Sequence, residues 1–89
     1  GFISAARERW DEAIATFHQA VGIDQKLGHV SGEAIDLNTL GLFCENKGDL
    51  ESAMTHYTAS LLIFKRLDDK RKTELVEKNI QRNQRFSYK

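Results

Sequence analysis

Histidine and cysteine are the side chains of this chain best suited to catalysis or to metal binding. The three histidines, His18, His29 and His56, lack the His-x3-His spacing that places two ligands on one helical face. The single cysteine, Cys44, has no general base suggested by its surroundings in the sequence. The glycines lack the Gly-x4-Gly-Lys order of a phosphate-binding loop. We therefore predict no catalytic residue, no cofactor and no metal site, and do not expect an enzyme.

Polar and charged residues recur at helical spacing in two stretches that are better suited to binding. Asn38, Leu42 and Glu45 follow an i, i+4, i+7 pattern, so on a helix they share one face. Lys78 and Arg82 begin the same spacing again near the C-terminal end. Amide groups pair with peptide backbone, and guanidinium groups form paired hydrogen bonds with carboxylates. The two stretches therefore predict contact with an extended peptide or an acidic helix.

Helices must position these residues, because proline is absent and apolar residues recur every three or four places. This spacing puts a continuous apolar stripe on one face of each helix, and such stripes are typical of a packed helical core. We predict no strand. The segments predicted as helical lie at about 2–8, 10–27, 30–47, 50–67 and 70–86.

Short turns separate the predicted helices. Gly48 can end a helix in a left-handed conformation, and Asp49 can accept the first free amides of the next helix. The segments 27–29 and 67–69 are the other predicted turns, with Asp69 as a helix cap. Because these turns are only two to four residues long, we expect neighbouring helices to be antiparallel.

Residues 1–40 and 41–80 are two copies of one unit. Their agreement falls on small and apolar positions, which stacked units preserve because each buries its apolar face against its neighbour. The 40-residue period therefore favours a repeat scaffold over a catalytic domain. The identical pairs include Gly1/Gly41, Ala13/Ala53, Ile23/Ile63 and Leu27/Leu67, and similar pairs include Phe2/Leu42, Trp10/Leu50, Ile14/Met54 and Phe17/Tyr57.

The second copy resembles the tetratricopeptide repeat (TPR). Residues 37–44 are Leu-x2-Leu-Gly-x2-Cys and residues 53–57 are Ala-x3-Tyr, against Trp-x2-Leu-Gly-x2-Tyr and Ala-x3-Phe in that family. The period of 40 is longer than the roughly 34 of the commonest form. It resembles the longer-helix variety, whose Leu-Asn-Asn-Leu-Gly signature is similar to Leu-Asn-Thr-Leu-Gly at 37–41.

The resemblance implies an all-α fold in which antiparallel helix pairs stack as a short solenoid of about two repeats. Gly41 and Ala53 are small, so the two helices of a repeat would approach closely, with Tyr57 and Leu40 filling the space beside them. The expected organisation is a single domain over 1–89, expected to be a fragment of a longer array, with a partial repeat 1–29, a complete repeat 30–69 and a capping helix 70–86.

In the TPR family, polar residues on the first helix of each repeat line a concave groove that holds a peptide by its backbone or its terminal carboxylate. Asn79 lies in the last helix at the place of one groove asparagine. The resemblance therefore implies a groove that binds a protein or peptide partner, and an acidic partner is among those expected. The expected partner-binding residues are Asn38, Leu42, Glu45, Lys78, Asn79 and Arg82.

The chain is neutral overall, yet its charge is unevenly distributed. Residues 1–64 contain four basic and nine acidic residues, whereas residues 65–89 contain nine basic and four acidic. A basic C-terminal quarter is typical of a solvated capping helix, but it also fits an acidic partner surface or nucleic acid. We keep all three interpretations, with nucleic acid the least favoured.

One cysteine excludes an internal disulfide, which fits a reducing compartment, and we expect a cytoplasmic protein. No apolar run approaches the length of about 20 residues that a membrane span requires, so no membrane partner is expected.

The function that we predict is that of a non-catalytic scaffold for protein–protein interaction. One alternative is self-association, because residues 2–8 are too short to cover the apolar face around Trp10 and Phe17, which would leave a homo-oligomer possible. Another alternative is a regulatory tail of a larger protein. Nucleic-acid binding through residues 65–89 is the third.

Overall fold

The structure is a computed structural model that describes the backbone of residues 2–87 and the side chains of residues 9–85. Within residues 2–87 every regular element is a helix, which confirms the predicted all-α class. The four helices are α1 Phe2–Leu27, α2 Val30–Lys47, α3 Leu50–Arg66 and α4 Lys70–Ser87.

The break predicted between residues 8 and 10 is wrong, because α1 runs without interruption through both segments. The 40-residue period placed this break opposite the turn at Gly48 and Asp49. The corresponding positions are Glu8 and Arg9, which supply neither a left-handed helix end nor a capping side chain. Helix α1 therefore continues for 26 residues, and residues 2–8 form its first part and not a separate helix.

The turn between α2 and α3 follows the prediction in detail. Gly48 adopts φ 97°, and its backbone N–H bonds to the carbonyl of Glu45. Asp49 caps α3, since its Oδ1 accepts a hydrogen bond of 3.1 Å from the backbone N–H of Ser52. One residue thus ends a helix and the next begins another, which permits a turn of only two residues.

The other two turns also lie where they were predicted. Gly28 and His29 connect α1 to α2, and the backbone N–H of His29 bonds to the carbonyl of Asp24 at 2.9 Å. Between α3 and α4, Asp68 takes a positive φ of 56° without being glycine. Asp69 then caps α4 by accepting a hydrogen bond of 3.2 Å from the backbone N–H of Lys72.

The contacts between side chains establish that consecutive helices are antiparallel. Ser60 of α3 donates to the carbonyl of Ala34 in α2, while Tyr57 of the same helix donates to Glu45 further along α2. Two contacts of α2 with α4, Asn38 with Asn79 and Glu45 with Arg82, advance along both helices together, so this pair is parallel. Helices α1 and α3 are each antiparallel to α2 and are therefore parallel to each other. The helices therefore form two layers, with α1 and α3 in one and α2 and α4 in the other.

The core lies between α2, α3 and α4. Tyr57, Leu40 and Val76 are completely buried, and Phe64 is nearly so. Gly41 is in contact with Tyr57: a Cβ atom at Gly41 would lie 2.5 Å from two carbons of the tyrosine ring. The predicted close approach of the helices at Gly41 is thus confirmed.

The aromatic side chains of α1 that pack against α2 are less buried than the core residues of α2, α3 and α4. Trp10 and Phe17 are half-buried, and Phe43 of α2 packs between them, with both ring-centroid distances at 5.3 Å. Lys47 at the end of α2 forms an ion pair with Asp11. The apolar face of α1 that was expected to be bare is therefore partly covered by a single aromatic side chain.

Candidate functional site

The six residues expected to bind a partner lie on α2 and α4, which run parallel and contact each other directly. We call the surface that they share the α2/α4 face; it consists of Asn38, Leu42, Glu45, Lys78, Asn79 and Arg82. The structure brings four of the six into direct pairs. Nδ2 of Asn79 donates to Oδ1 of Asn38 at 3.0 Å. Nε and Nη2 of Arg82 donate to the two carboxylate oxygens of Glu45 at 2.7 and 3.0 Å.

Glu45 is the centre of a small network that joins three helices. Besides the paired hydrogen bonds from Arg82 of α4, its Oε1 accepts a hydrogen bond of 2.7 Å from the hydroxyl of Tyr57 in α3. The bond from Arg82, followed by the bond from Tyr57, lowers the pKa of Glu45 although partial burial opposes this. Burial, together with the hydrogen bond to Glu45, raises the pKa of Tyr57. Glu45 is therefore ionised and Tyr57 protonated at neutral pH, as a donor and an acceptor must be.

The amide pair is more enclosed than the charged pair. Asn79 is only 7% exposed, and its amide nitrogen is occupied by Asn38. Sequence reasoning placed Asn79 among residues that touch a ligand, whereas its position in the structure makes it first a link between α2 and α4. A ligand that approaches this pair meets the remaining amide groups of Asn38, which is half-buried.

The accessible parts of the α2/α4 face are different in character. Lys78 is exposed, and Arg85, one turn beyond Arg82, is exposed as well. Leu42 is half-buried and packs against the core. Ile35 and Leu75 occupy equivalent positions near the start of α2 and α4 and are 43% and 53% exposed.

Sequence reasoning did not select Ile35 and Leu75. The signal that would have found them is their separation of 40 residues, combined with their place three residues before Asn38 and Lys78 on the same helical face. The α2/α4 face therefore combines exposed apolar groups at one end with cations along α4.

Cys44, His18 and His56 lie on three different helices, α2, α1 and α3. Cys44 is buried, and burial raises the pKa of its thiol, which disfavours the reactive thiolate. His18 and His56 stack edge to face across α1 and α3 with ring centroids 5.3 Å apart, and burial lowers the pKa of His56. Among residues 9–85, no three side chains of the metal-binding types lie close enough together to hold an ion.

The sequence also did not predict that the carboxyl groups of Asp24 in α1 and Asp36 in α2 lie close together. Partial burial, and then the neighbouring carboxylate of Asp24, raise the pKa of Asp36 to about 6. Gly32 lies directly against Asp24, because a Cβ atom at Gly32 would be 3.2 Å from a carboxylate oxygen. His29 lies on the other side, with Nδ1 at 3.8 Å from Asp24. Two carboxyl groups in one small space favour a shared proton.

Asn83 is another residue that the sequence did not single out. It is 1% exposed, and its Nδ2 donates a hydrogen bond of 2.9 Å to the backbone carbonyl of Leu50, at the first turn of α3. Within the described part of the chain, its Oδ1 has no hydrogen-bond partner. Asn83 thus fastens the C-terminal half of α4 to the start of α3, and so helps to hold Arg82 in place beside Glu45.

Comparison of the chain with protein-family models, with curated proteins and with solved structures gives no match. The TPR assignment therefore remains an interpretation of the residues at 37–44 and 53–57. For residues 2–87, none of the helices is long and apolar enough to traverse a lipid bilayer.

Proposed function

We propose that this chain is a non-catalytic protein-interaction module of the TPR type, which binds a peptide segment of a partner on the α2/α4 face. The observation that carries the proposal is the parallel, side-by-side placement of α2 and α4, which brings Asn38 against Asn79 and Glu45 against Arg82. Within this proposal, residues 30–69 are the complete repeat, residues 1–29 a partial one, and α4 is the capping helix.

The internal pairs give the face a fixed shape before a partner arrives. Because Glu45 is held by both Arg82 and Tyr57, the ordering cost of these long side chains is already met in the free protein. The half-buried Asn38 then offers amide groups to the backbone of an extended peptide, where each net hydrogen bond contributes about 0.5–1.5 kcal/mol.

The exposed groups define the chemistry of the partner. Lys78 and Arg85 are exposed and form no ion pair with Glu45, the acidic residue of the α2/α4 face. Their positive charges favour carboxylates on the ligand. Ile35 and Leu75 supply exposed apolar contacts at the other end of the face. We therefore infer that the ligand is a peptide with apolar residues followed by acidic ones. The single buried thiol of this chain, Cys44, fits a cytoplasmic location.

The test uses a displayed library of peptides, followed by measurement of the affinity of selected peptides by titration calorimetry. Selected sequences should combine apolar and acidic residues. Lys78→Glu with Arg85→Glu should weaken their binding at least about tenfold and slow association, because rim charges mainly steer encounter. The variant leaves the Glu45 network intact, whereas Arg82→Glu would place a second carboxylate against Glu45 and destabilise the fold.

The matched control is Lys65→Glu with Arg66→Glu, an equal change of charge at exposed positions at the end of α3. This control should bind selected peptides nearly as well as the original chain. If the two double variants lose affinity equally, net charge and not the α2/α4 face determines binding, and the proposed surface is wrong.

A further inference from the structure

The large apolar side chains that remain exposed are concentrated at one end of the molecule. Among the described side chains, those exposed by more than about two fifths all lie within eight residues of the turn 28–29 or the turn 68–69. None lies beside the turn 48–49. We call the surface that they form the end face; its residues are Ile23, Leu27, Val30, Ile35, Leu62, Leu67 and Leu75.

The topology places the exposed apolar residues near the turn 28–29 beside those near the turn 68–69. Because α1 and α3 are parallel, and α2 and α4 likewise, the turns 28–29 and 68–69 lie at the same end of the bundle. At a rise of about 1.5 Å per residue, Ile35 and Leu75 are no more than about 8 Å from the first residues of α2 and α4. Leu27, at 63% exposed, lies directly at the turn. Side chains of this kind are not normally gathered at one place on a monomer's surface.

The end face has two halves of opposite charge. Residues 22–36 carry Asp24, Glu33 and Asp36 against Lys26, a net charge of −2. Residues 62–76 carry five basic and three acidic residues, a net charge of +2. The acidic half belongs to α1 and α2, and the basic half belongs to α3 and α4.

We infer that the end face is an interface between two copies of this chain, related by a two-fold axis. When the two-fold axis runs along the boundary between the halves, the acidic half of each copy meets the basic half of its partner, and both favourable pairings form at once. This charge pattern selects that axis over the one that would place like halves together. The exposed leucines and isoleucines are removed from water in the same step. An anionic membrane fits less well, because it would repel the acidic half.

The dimensions of the end face predict the strength of the dimer. Helix α1 has 26 residues and is therefore about 39 Å long, so the longest extent of the molecule, 43 Å, follows the helices and the two shorter extents, 30 and 16 Å, bound this face. Such a face is smaller than the roughly 800 Å² per partner of a standard stable interface. We therefore expect a dimer that dissociates in the micromolar range, with a population that depends on concentration. The end face and the proposed peptide site share Ile35 and Leu75, whereas Leu27, Leu62 and Leu67 belong to the end face alone.

Sedimentation equilibrium over a range of micromolar concentrations tests the inference directly. The original chain should change from monomer to dimer as concentration rises. Leu27→Ser with Leu67→Ser replaces two residues of the end face that are 63% and 45% exposed, and it should weaken dimerisation about tenfold or more. Lys78→Glu with Arg85→Glu should leave dimerisation unchanged, because those residues lie away from the end face.

A charge exchange tests the two-fold arrangement itself. Lys70→Glu with Arg71→Glu makes both halves acidic, and Gln25→Lys with Glu33→Lys makes the acidic half basic. Each variant alone should remain a monomer, whereas an equimolar mixture should form a heterodimer. Circular dichroism of each variant alone establishes that it is folded, so that failure of the mixture to associate bears on the interface.

Three results would overturn the inference. The first is an original chain that stays monomeric at every concentration. The second is a mixture of the charge variants that fails to associate. The third is a monomeric original chain that binds phosphatidylserine vesicles and loses this binding through Leu27→Ser with Leu67→Ser, which would make the end face a lipid-docking surface instead.

Discussion

The contact between Gly41 and Tyr57 yields the sharpest prediction about the fold. Gly41→Ala adds a single methyl group whose carbon would lie 2.5 Å from two ring carbons and 3.0 Å from a third. The ring cannot move aside freely, because Tyr57 is completely buried and its hydroxyl bonds to Glu45 at 2.7 Å. The added methyl must therefore push α2 and α3 apart or break that hydrogen bond.

Two opposing effects determine how much Gly41→Ala changes the free energy of unfolding. Overpacking of this kind costs about 1–3 kcal/mol. Replacing glycine by alanine within a helix returns about 0.5–1 kcal/mol, because the unfolded chain loses conformational freedom. The free energy of unfolding should therefore fall by about 1–2 kcal/mol, which corresponds to a decrease in Tm of roughly 5–10 °C for a domain of this size.

Gly22→Ala is the matched control, since Gly22 also lies inside a helix but has no neighbouring atom within 4 Å of the added carbon. It should raise the free energy of unfolding by about 0.5–1 kcal/mol, so the same substitution acts with opposite sign at the two positions. Urea unfolding followed by circular dichroism measures both effects.

A double-mutant cycle identifies the cause. In a Tyr57→Leu background the ring is absent, and Gly41→Ala should become neutral or stabilising, with a coupling energy of about 1 kcal/mol or more. If Gly41→Ala costs the same free energy in both backgrounds, the contact with Tyr57 is not the reason why glycine is required there.

Three further predictions concern ionisable groups and caps. In the native state the pKa of Asp36 is raised to about 6, so this state binds more protons than the unfolded chain between about pH 4 and pH 6, and stability should fall as pH rises through that window. Asp36→Asn should raise the free energy of unfolding at neutral pH by about 1–2 kcal/mol and flatten this part of the curve; an unchanged curve would show that the carboxyl pair is not strained. Asp49→Ala removes the acceptor for the backbone N–H of Ser52 and should cost about 0.5–2 kcal/mol in urea unfolding at neutral pH. Because hydrogen bonds from Ser52 lower the pKa of Asp49, this difference should shrink as pH falls through that lowered pKa, and a constant difference would contradict the capping role. Arg82→Met removes both hydrogen bonds to Glu45 and should raise the pKa of that carboxyl in an NMR titration; a pKa that does not move would mean that the pair is not formed in solution.

Much of the fold was accessible from the sequence, because its turns are encoded locally. Gly48 lacks a side chain and so accepts the left-handed conformation that ends α2, and the carboxylate of Asp49 accepts a hydrogen bond at the start of α3. The end of α2 and the start of α3 were therefore predicted to the residue. Helix α1 was mispredicted for the opposite reason. There the repeat pattern was extended to a position, Glu8, that lacks the local residue type required for a break.

The positions of the site residues were predicted better than their partners. The helical spacing of Asn38 and Glu45 placed them on one face, and the 40-residue period placed Asn79 and Arg82 on an adjacent helix. That Asn79 bonds to Asn38, and Arg82 to Glu45, depends on the distance and axial offset between α2 and α4. These quantities arise from the packing of both helices against α3, through Tyr57 and Asn83, which a periodic pattern does not specify.

The internal pairing changes what the α2/α4 face can offer a partner. Arg82 was expected to bind a carboxylate of a ligand, yet in the free protein it already binds Glu45 with both prongs of its guanidinium group. A ligand carboxylate that displaced Glu45 would leave a partly buried charge held only by Tyr57, which is costly. The attraction for an acidic partner must therefore come from Lys78 and its neighbours along α4, while the Glu45 network contributes by keeping the two parallel helices in register.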